Sequence, residues 1–374
     1  MFQKLTAVFL LFLSLQAIAQ KNKAQPSVIN VALTAGNWDT AHGVVTFGEY
    51  KSKQAMQLQG GATTAVLKDV DFTDGTIEFD IEPSDRYFSS FYFRYAGKDN
   101  NECFYFRTQR AGNNSAIDAI QYTPTIKGVN LWDMLFHYQG NARFAANEWN
   151  HVKLVINGRQ MQVYVNSTTP TLNIPILEGD SPHGALAFQG TVNIANLVIQ
   201  PGATGNLPAF PGPDPTANDP QYLRKWLLGK PIVVPDSVEF SQHYIPAANA
   251  AWDTIWAERR GLINLTRQFG GSKQRRLVWL QTNIHADSAQ TRKMQLGFSD
   301  DVWILLNGRF LYVDRNTYGS PIMKEPEGRC TIDNTSFSVP LKAGDNTLLI
   351  GVANNFYGWG IVARLDQLPG IHLE

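Results

Sequence analysis

The feature that most constrains the fold is a long series of short runs in which apolar and polar residues alternate. Between residues 28 and 200 these runs include "TAVLKDV", "GTIEFDIE", "SSFYFRYA", "ECFYFRTQ" and "QMQVYV", with turn-forming residues between them. Alternation is typical of strands with one buried face, whereas an amphipathic helix needs an apolar period of about 3.6 residues. The sequence therefore predicts an antiparallel β-sandwich over residues 28–200.

Two segments carry the same turn signal, Asn-Gly-Arg between apolar strands. They are "HVKLVINGRQMQVYVN", residues 151–166, and "DVWILLNGRFLYVD", residues 301–314. Asn and Gly tolerate the positive φ that a two-residue type I′ turn requires at both central positions. We therefore predict one such hairpin in each half of the chain. In the first hairpin the alternating apolar residues should share one buried face: Val152, Leu154, Ile156, Met161, Val163 and Val165.

The composition changes after residue 200. Residues 201–220 contain six prolines and three glycines, which disfavours both a strand ladder and a helix interior, so this segment is predicted to be a linker. A second series of alternating runs follows, with "IPAANAAWDTIWAERR" as the one candidate for a short helix or an ordered loop. The predicted fold class is all-β: two antiparallel β-sandwich (jelly-roll) domains, residues 28–200 and 222–370, joined by a Pro-rich linker.

The first 19 residues have the pattern of a signal peptide. Lys4 supplies the positive charge, "AVFLLFLSL" is the apolar run, and "AIA", Ala17 to Ala19, is a small-x-small cleavage pattern. The apolar run is too short to cross a membrane. We therefore expect an exported protein, secreted or periplasmic, without a membrane span.

Charge and cysteine content exclude several classes of partner and cofactor. The 32 basic residues balance the 32 acidic ones, which argues against nucleic acid, because phosphate binding uses clustered Lys and Arg. Cys103 and Cys330 are too few for a disulfide framework or a cysteine zinc site, so we expect buried free thiols. No histidine pair has metal-ligand spacing, and no cofactor is predicted. Asp300 and Asp301 remain candidates for a Ca²⁺ ion, without the EF-hand spacing.

Several motifs resemble known families. "DFTDGTIEFDIE", "EWNHVKLVINGRQMQVYVN" and "GALAFQG" resemble the concanavalin A-like lectin/glucanase sandwiches, in particular LamG-type domains and the bacterial 3-keto-disaccharide hydrolase family. This resemblance covers residues 28–200 and implies sugar binding or hydrolysis. "LGFSDDVWILLNGRFLYV" and "FSVPLKAGDNTLLIGVANN" resemble galactose-binding-like jelly rolls, which implies a carbohydrate-binding or structural module. The hydrolase family typically carries an acidic residue in the middle of the strand corresponding to "ECFYFRTQ", where this chain has Tyr105 and Arg107.

A triplet of carboxylates is the clearest enzymatic feature. Glu78, Asp80 and Glu82 alternate with apolar residues, so they should lie on one face of a strand. Their spacing is similar to the E-x-D-x-E strand of laminarinase-like glycoside hydrolases, whose outer carboxylates act as nucleophile and general acid. The alternative is a solvated outer face of a half-buried strand.

A polar and aromatic surface is predicted on the strands and loop that follow. Aromatic rings can cover the C–H faces of a sugar, while Arg, Gln and Asp bond its hydroxyl groups. By alternation, Arg94 should share a face with Tyr92. The alternative is that Trp132 and Phe136 only pack the sandwich edge, and that His137 is a hydrogen-bonding residue rather than a general base. The candidate ligand-binding residues are Arg94, Tyr105, Arg107, Gln121, Tyr122, Trp132, Asp133 and His137.

The second half offers a smaller set of candidates in "FSDDVW" and "ANNFYGWG". Loops of this kind could stack a sugar, or Trp359 could be buried where the glycines allow a close backbone approach. The candidate residues are Asp300, Asp301, Asn354, Tyr357 and Trp359. The function predicted first is therefore an exported carbohydrate-binding protein. A glycoside-processing hydrolase and a structural or adhesion module remain as alternatives, so the sequence leaves open whether the protein is an enzyme.

Overall fold

The computed structural model describes residues 27–84, 86, 88–236 and 240–373. The predicted signal segment, residues 1–19, lies outside the described residues. Strands dominate the part of the chain that is described, and the sheets are antiparallel, which confirms the all-β prediction. Among these residues no helix combines the length and apolar character that a membrane crossing requires.

The first half forms one continuous sheet. Its order is β12-β11-β10-β4-β14-β3-β13-β5-β6-β7-β8, with β1, β2 and β9 paired at its sides. Short 3-10 turns occur at Ala35–Asn37, Thr108–Arg110 and Phe136–Tyr138. The strands are β1 Ile29–Asn30, β2 Trp38–Tyr50, β3 Lys53–Leu67, β4 Gly75–Pro83, β5 Phe88–Tyr95, β6 Asn101–Arg107, β7 Ile120–Ile126, β8 Val129–Asn130, β9 Gln139–Gly140, β10 Asn150–Asn157, β11 Gln160–Val165, β12 Leu172–Ile174, β13 Ala185–Gln189 and β14 Val192–Pro201.

Strand β3 folds this sheet into two layers. Its first part pairs with β14 and its last part with β13, so it passes from the first layer (β12, β11, β10, β4 and β14) to the second layer (β13, β5, β6, β7 and β8). The ring of Phe79 in the first layer lies 4.9 Å from that of Phe91 and 5.1 Å from that of Phe188 in the second. Side chains from both layers thus fill one core, as in a β-sandwich.

The second half forms two further sheets, ordered β17-β15-β19-β24-β21-β22 and β18-β25-β20-β23, with a separate hydrophobic core. The strands are β15 Lys225–Leu228, β16 Ile232–Val233, β17 Asp253–Trp256, β18 Leu262–Asn264, β19 Arg276–Ala286, β20 Gln290–Ser299, β21 Asp301–Leu306, β22 Arg309–Arg315, β23 Thr335–Leu341, β24 Gly344–Asn354, β25 Gly360–Leu365 and β26 Ile371–Leu373. Helix α1 spans Leu265–Phe269, and 3-10 turns span Gln242–Tyr244 and Arg259–Gly261. The segment "IPAANAAWDTIWAERR" contains β17 rather than a helix.

The two Asn-Gly-Arg hairpins exist but use different turns. In the second, Leu306 pairs with Arg309, and Asn307 and Gly308 have φ of 51° and 76°, as a type I′ turn requires. In the first, Asn157 pairs with Gln160, so Gly158 and Arg159 are the central residues. The type I′ prediction is therefore wrong for the first hairpin, while its six alternating apolar residues are all buried as predicted.

Residues 202–220, all described, contain no strand or helix. They are hydrogen-bonded to the first sandwich up to Gly212, whose carbonyl oxygen also accepts a hydrogen bond from Arg259 of the second half at 2.8 Å. The carbonyl oxygen of Ala209 accepts a hydrogen bond from the Arg159 N–H at 3.1 Å, and that of Leu207 accepts one from the Asn157 amide at 2.6 Å. Further along, the Gly212 N–H donates to the Pro175 carbonyl at 2.8 Å. The proline-rich segment is thus hydrogen-bonded to the β10–β11 hairpin and to Pro175, which follows β12.

The two sandwiches pack directly on each other. Leu262, Cys330 and Val362 of the second half belong to the core cluster of the first. The Cys330 N–H donates to the Asp133 carbonyl oxygen at 3.0 Å. Cys330 and Cys103 are both buried and free, as predicted.

Candidate functional site

The carboxylate triplet lies on the outer side of the first layer. The residues that alternate with Glu78, Asp80 and Glu82 are buried in the core, which confirms the predicted strand face. Lys53 contacts Asp80 at 2.7 Å, and Lys51 contacts Glu82 at 2.9 Å. We call this surface the carboxylate face.

Basic and amide side chains neutralise the carboxylate face. His151 lies 2.9 Å from Asp80 and 3.4 Å from Glu78. Burial alone would raise the pKa of Asp80, but hydrogen bonds from Lys53, His151 and Asn196 lower it below its usual value. The central carboxylate of the triplet is therefore held in its ionised form by its partners. The arrangement favours an ion-paired outer face over an acid and nucleophile pair.

On the outer side of the second layer, β6 and β7 bring three predicted residues together. Tyr105 pairs with Gln121 across the strands. The Tyr105 hydroxyl donates to the Gln121 side-chain oxygen at 2.7 Å, and the Arg107 guanidinium donates to the same oxygen at 2.5 Å. The Gln121 amide in turn donates to the Trp132 carbonyl oxygen at 2.8 Å. This network fixes the loop that carries Trp132.

Trp132 joins aromatic side chains that come from the second half of the chain. Its ring centroid lies 5.1 Å from Tyr318 and 5.9 Å from Tyr357, both edge-on. Phe356 stacks on Tyr318 at 5.6 Å and meets Tyr357 at 4.5 Å. Tyr318, Phe356 and Tyr357 are 45%, 37% and 47% exposed, respectively. An aromatic surface open to solvent therefore forms where the sandwiches meet.

An arginine from the second half completes this surface. The Arg329 guanidinium lies over the Trp132 ring at 5.4 Å, and that of Arg107 lies over the Tyr105 ring at 5.2 Å. Cation–π contacts of this kind hold both guanidinium groups beside the rings. We call the whole arrangement the inter-sandwich site, and its residues are Tyr105, Arg107, Gln121, Trp132, Tyr318, Arg329, Phe356 and Tyr357.

Two buried aspartates support the loop that carries Phe356 and Tyr357. The Asp133 carboxyl accepts a hydrogen bond from the Gly358 N–H at 3.1 Å, and Asp300 accepts from the Phe356 N–H at 2.6 Å. Burial raises the pKa of Asp133 to about 8, with a further contribution from the charge of Asp300. Burial likewise raises the pKa of Asp300 to about 6. Both groups position the aromatic loop and lie beneath its surface.

Two residues predicted for the polar face are placed elsewhere. Register shifts between β13 and β5 next to Arg94, which has φ of 47°, and its guanidinium bonds Asp74 at 2.9 Å and the Gly158 carbonyl at 2.7 Å. The alternation that placed Arg94 beside Tyr92 is broken by this bulge. Tyr122 points into the core, where its hydroxyl donates to Glu102 at 2.6 Å.

His137 is also separate from the inter-sandwich site. It lines a different pocket between the two halves, together with Tyr222 and Arg259. Burial, together with the charges of Arg260 and Arg259, lowers the pKa of His137 to about 3. A neutral imidazole with so low a pKa is a poor general base near neutral pH.

The remaining candidates of the second half are engaged within the protein. Asp301 is paired with Arg275 and, at 2.7 Å, with Arg315. Asn354 ends β24, opposite Arg276. Trp359 is buried, and its indole N–H donates to the Val352 carbonyl at 3.2 Å, so the buried alternative is correct for this residue.

The predicted Ca²⁺ position does not fit the structure. Asp300 faces backbone N–H groups and Asp301 faces guanidinium groups, and both kinds of neighbour compete with a cation. Over the described part of the chain, no group of three or more His, Cys, Asp or Glu side chains is arranged to hold a metal ion.

Sequence reasoning missed Tyr318, Arg329 and Phe356. They lie in loops of the second half, where no alternating pattern predicts contact with the first sandwich. The one available signal was the aromatic run "NNFYGWG", from which Tyr357 was selected but its neighbour Phe356 was not.

The strand topology assigns the first half of the chain to the antiparallel β-sandwiches, with two layers that are continuous through β3. Residues 27–197, which make up nearly all of this sandwich, match the family model of the 3-keto-alpha-glucoside-1,2-lyase-like domain. The match confirms the resemblance to the 3-keto-disaccharide hydrolase family for the first half of the chain. No curated protein is similar enough to the chain to count as a match.

Several solved structures resemble the chain in part. The carbohydrate-binding module CBM66 from Bacillus subtilis is 15% identical and aligns over 44% of this chain and 91% of its own, with a TM-score of 0.31. The Bacillus licheniformis β-glucanase is 14% identical over 48% and 99%, with a TM-score of 0.32. The Caenorhabditis elegans galectin LEC-6 is 13% identical over 45% and 98%, with a TM-score of 0.25. Similarity at this level says nothing about ligand or activity.

Proposed function

We propose that this protein binds carbohydrate at the inter-sandwich site. The observation that carries the proposal is the set of four clustered rings, Trp132, Tyr318, Phe356 and Tyr357, beside hydrogen-bonding side chains. Rings cover the apolar C–H faces of a sugar, and planar polar groups fix the direction of its hydroxyls. The match of residues 27–197 to a domain named for a glucoside supports a sugar as ligand.

The site is held in place before a ligand arrives. Gln121 is fully buried, and its side chain bonds Tyr105, Arg107 and the backbone of Trp132. Asp133 holds the opposite loop through the Gly358 N–H. Because less side-chain freedom is lost on binding, such preorganisation favours affinity.

A glycan array probed with the protein and with Trp132→Ala tests the proposal. We expect the wild type to bind a defined set of glycans and Trp132→Ala to lose about ten-fold or more, because stacking area is removed. Trp256→Ala is the matched control, since Trp256 is 64% exposed on β17, outside the site. A wild type that binds no glycan, or a Trp132→Ala variant that binds as well as the wild type, would overturn the proposal and favour a structural or adhesion role.

A second candidate is glycoside processing at the carboxylate face. It is favoured by the family match and by two aromatic residues beside the triplet: the Tyr50 hydroxyl donates to Glu82 at 2.9 Å, and the Trp149 ring lies 4.9 Å from the Lys53 ammonium. Incubation with glucosides and 3-keto-glucosides, with Glu82→Gln as the comparison, tests it. Product release by the wild type alone would support this candidate, and absence of products from the wild type would reject it.

We also propose that the protein acts outside the cytoplasm, because the first 19 residues have the signal-peptide pattern. N-terminal sequencing of the protein recovered from its natural cells should give a chain beginning near Gln20. A chain that retains Met1 would contradict the proposal.

A further inference from the structure

Three arginines and two carboxylates adjoin the inter-sandwich site. Asp118 lies 3.0 Å from Arg110 and 3.9 Å from Arg107. Glu327 lies 3.1 Å from Arg329 and 3.9 Å from Arg110. We call these five residues the arginine cluster. Its guanidinium groups outnumber its carboxylates by one, so one positive charge has no counterpart inside the cluster.

The buried carboxyl of Asp133 does not supply the missing charge. Asp133 interacts with Tyr105 and with Asp300. Because burial raises the pKa of Asp133 to about 8, its carboxyl is largely protonated near neutral pH. The excess positive charge of the arginine cluster therefore persists at physiological pH.

Of the two arginines that flank the rings, Arg329 is incompletely satisfied, whereas Arg107 already donates to the Tyr105 hydroxyl, the Gln121 side-chain oxygen and the Asp118 carbonyl oxygen. Arg107 and Arg329 are only 7% and 4% exposed. The Nε atom of Arg329 is buried without a hydrogen-bond partner among the described residues. Burial lowers the pKa of Arg107, and the charge of Arg329 lowers it further. Repulsion between these two buried charges would be relieved by an anion that binds beside them.

The geometry also specifies the shape of the missing anion. Each guanidinium lies over a ring, Arg107 over Tyr105 and Arg329 over Trp132. A guanidinium in that position keeps its N–H edge in its own plane, where it matches the two oxygens of a planar carboxylate. Aromatic rings that can cover a sugar face and the Arg329 guanidinium, which can bind a carboxylate, thus lie side by side.

We propose that the inter-sandwich site recognises an acidic sugar residue, with Arg329 binding the carboxylate of a uronic acid beside Arg107 while Trp132 and Tyr357 contact its ring. This inference rests on the proposed carbohydrate binding and adds the class of ligand. Arg110 contributes at the rim, where its side chain is 38% exposed.

The first test compares ligands on the unmodified protein by calorimetry. An oligogalacturonate and its fully methyl-esterified form share the same ring skeleton and differ in charge. We expect the acidic form to bind about ten-fold tighter at low salt, with the advantage shrinking as salt rises, because exposed charge interactions are screened. Equal affinity for the two forms would overturn the inference and leave carbohydrate binding intact. If neither form binds and no array glycan binds, the proposed function itself fails. A sulfated glycan that binds better than the uronate would overturn the assignment of a carboxylate.

The second test changes the charge of the arginine cluster. Glu327 is 47% exposed, so Glu327→Gln should fold normally, and it frees Arg329 from its internal partner. We expect the ratio of acidic to esterified affinity to rise several-fold. Arg329→Lys keeps the charge and loses the planar fork, so the same ratio should fall about ten-fold. Thermal unfolding confirms that both variants fold. Ratios unchanged in folded variants would overturn the inference.

Discussion

The carboxylate face and the inter-sandwich site differ in how completely their charged side chains are paired within the protein. On the carboxylate face, Asp80 has Lys53 and His151 as partners, and Glu82 has Lys51. At the inter-sandwich site, three arginines share two carboxylates, and the guanidinium groups of Arg107 and Arg329 also lie over aromatic rings. A polar strand face becomes a binding surface where charges and rings remain unmatched after the protein has paired its own groups. The carboxylate face has few such groups left, and the inter-sandwich site has several.

The largest expected effect is a loss of glycan affinity when a residue of the inter-sandwich site, but not one of the carboxylate face, is substituted. Arg107→Ala removes hydrogen bonds to Gln121 and Tyr105, so we expect glycan affinity to fall about ten-fold or more. Lys53→Ala on the carboxylate face is the matched control, and it should bind like the wild type. Calorimetry with the best array glycan measures both. Greater loss in Lys53→Ala than in Arg107→Ala would reverse the comparison.

A smaller effect is an opposite pH dependence of stability for one aspartate on each face. The pKa of Asp133 is raised in the folded state from 3.8 to about 8, so its contribution is fully present below about pH 4 and is lost progressively as pH rises from there to about 8. The pKa of Asp80 is lowered in the folded state, so its contribution is present above about pH 4 and is lost as pH falls further. The dependence of the unfolding temperature on pH should therefore flatten between about pH 4 and about 8 in Asp133→Asn, and below about pH 4 in Asp80→Asn. Identical profiles for the two variants would contradict this assignment.

The smallest expected effect is that of Glu78→Gln. The Glu78 carboxylate is partly exposed and has His151 at 3.4 Å as its ion-pair partner. Such pairs contribute little, so the free energy of unfolding should change by less than about 0.5 kcal/mol, with glycan binding unchanged. Denaturant unfolding and calorimetry check this. A large loss of glycan binding would assign the carboxylate face a direct role and remove the contrast between the faces.

Alternation predicted much of this molecule correctly. It placed the Glu78–Glu82 triplet on the outward side of its strand, the residues between them in the core, and Tyr105, Arg107 and Gln121 on one face of the second layer, because successive side chains of a strand point to opposite faces. It did not predict that neighbouring groups cover Glu82, Tyr105, Arg107 and Gln121, which are buried. It failed at Arg94, where a bulge inserts an extra residue and rotates the side chain out of the pattern. It also assigned Tyr122 to the outer surface, although Tyr122 follows the outward Gln121 and must face the core.

The site itself was only half predictable. Trp132 was selected with its strand neighbours, and Tyr357 was selected separately in the other half of the chain. Their contact depends on how the two sandwiches dock, through packing of Cys330 and Val362 on the first core. Such packing joins residues far apart in the sequence, so the periodicity around Trp132 or around Tyr357 could not predict it.

The sequence by itself determined the strands, their buried faces and the positions of both Asn-Gly-Arg hairpins, because side-chain period and turn chemistry are local properties. Only the tertiary structure decided what each hairpin became. Asn307 and Gly308 form the free two-residue turn, whereas at Gly158 the backbone N–H donates to Asp74 at 2.8 Å and the carbonyl accepts from Arg94. The two Asn-Gly-Arg segments adopt different turns because groups distant in the sequence form competing hydrogen bonds with the backbone of Gly158 in the first segment. The inter-sandwich site likewise consists of groups that meet only when the chain is folded.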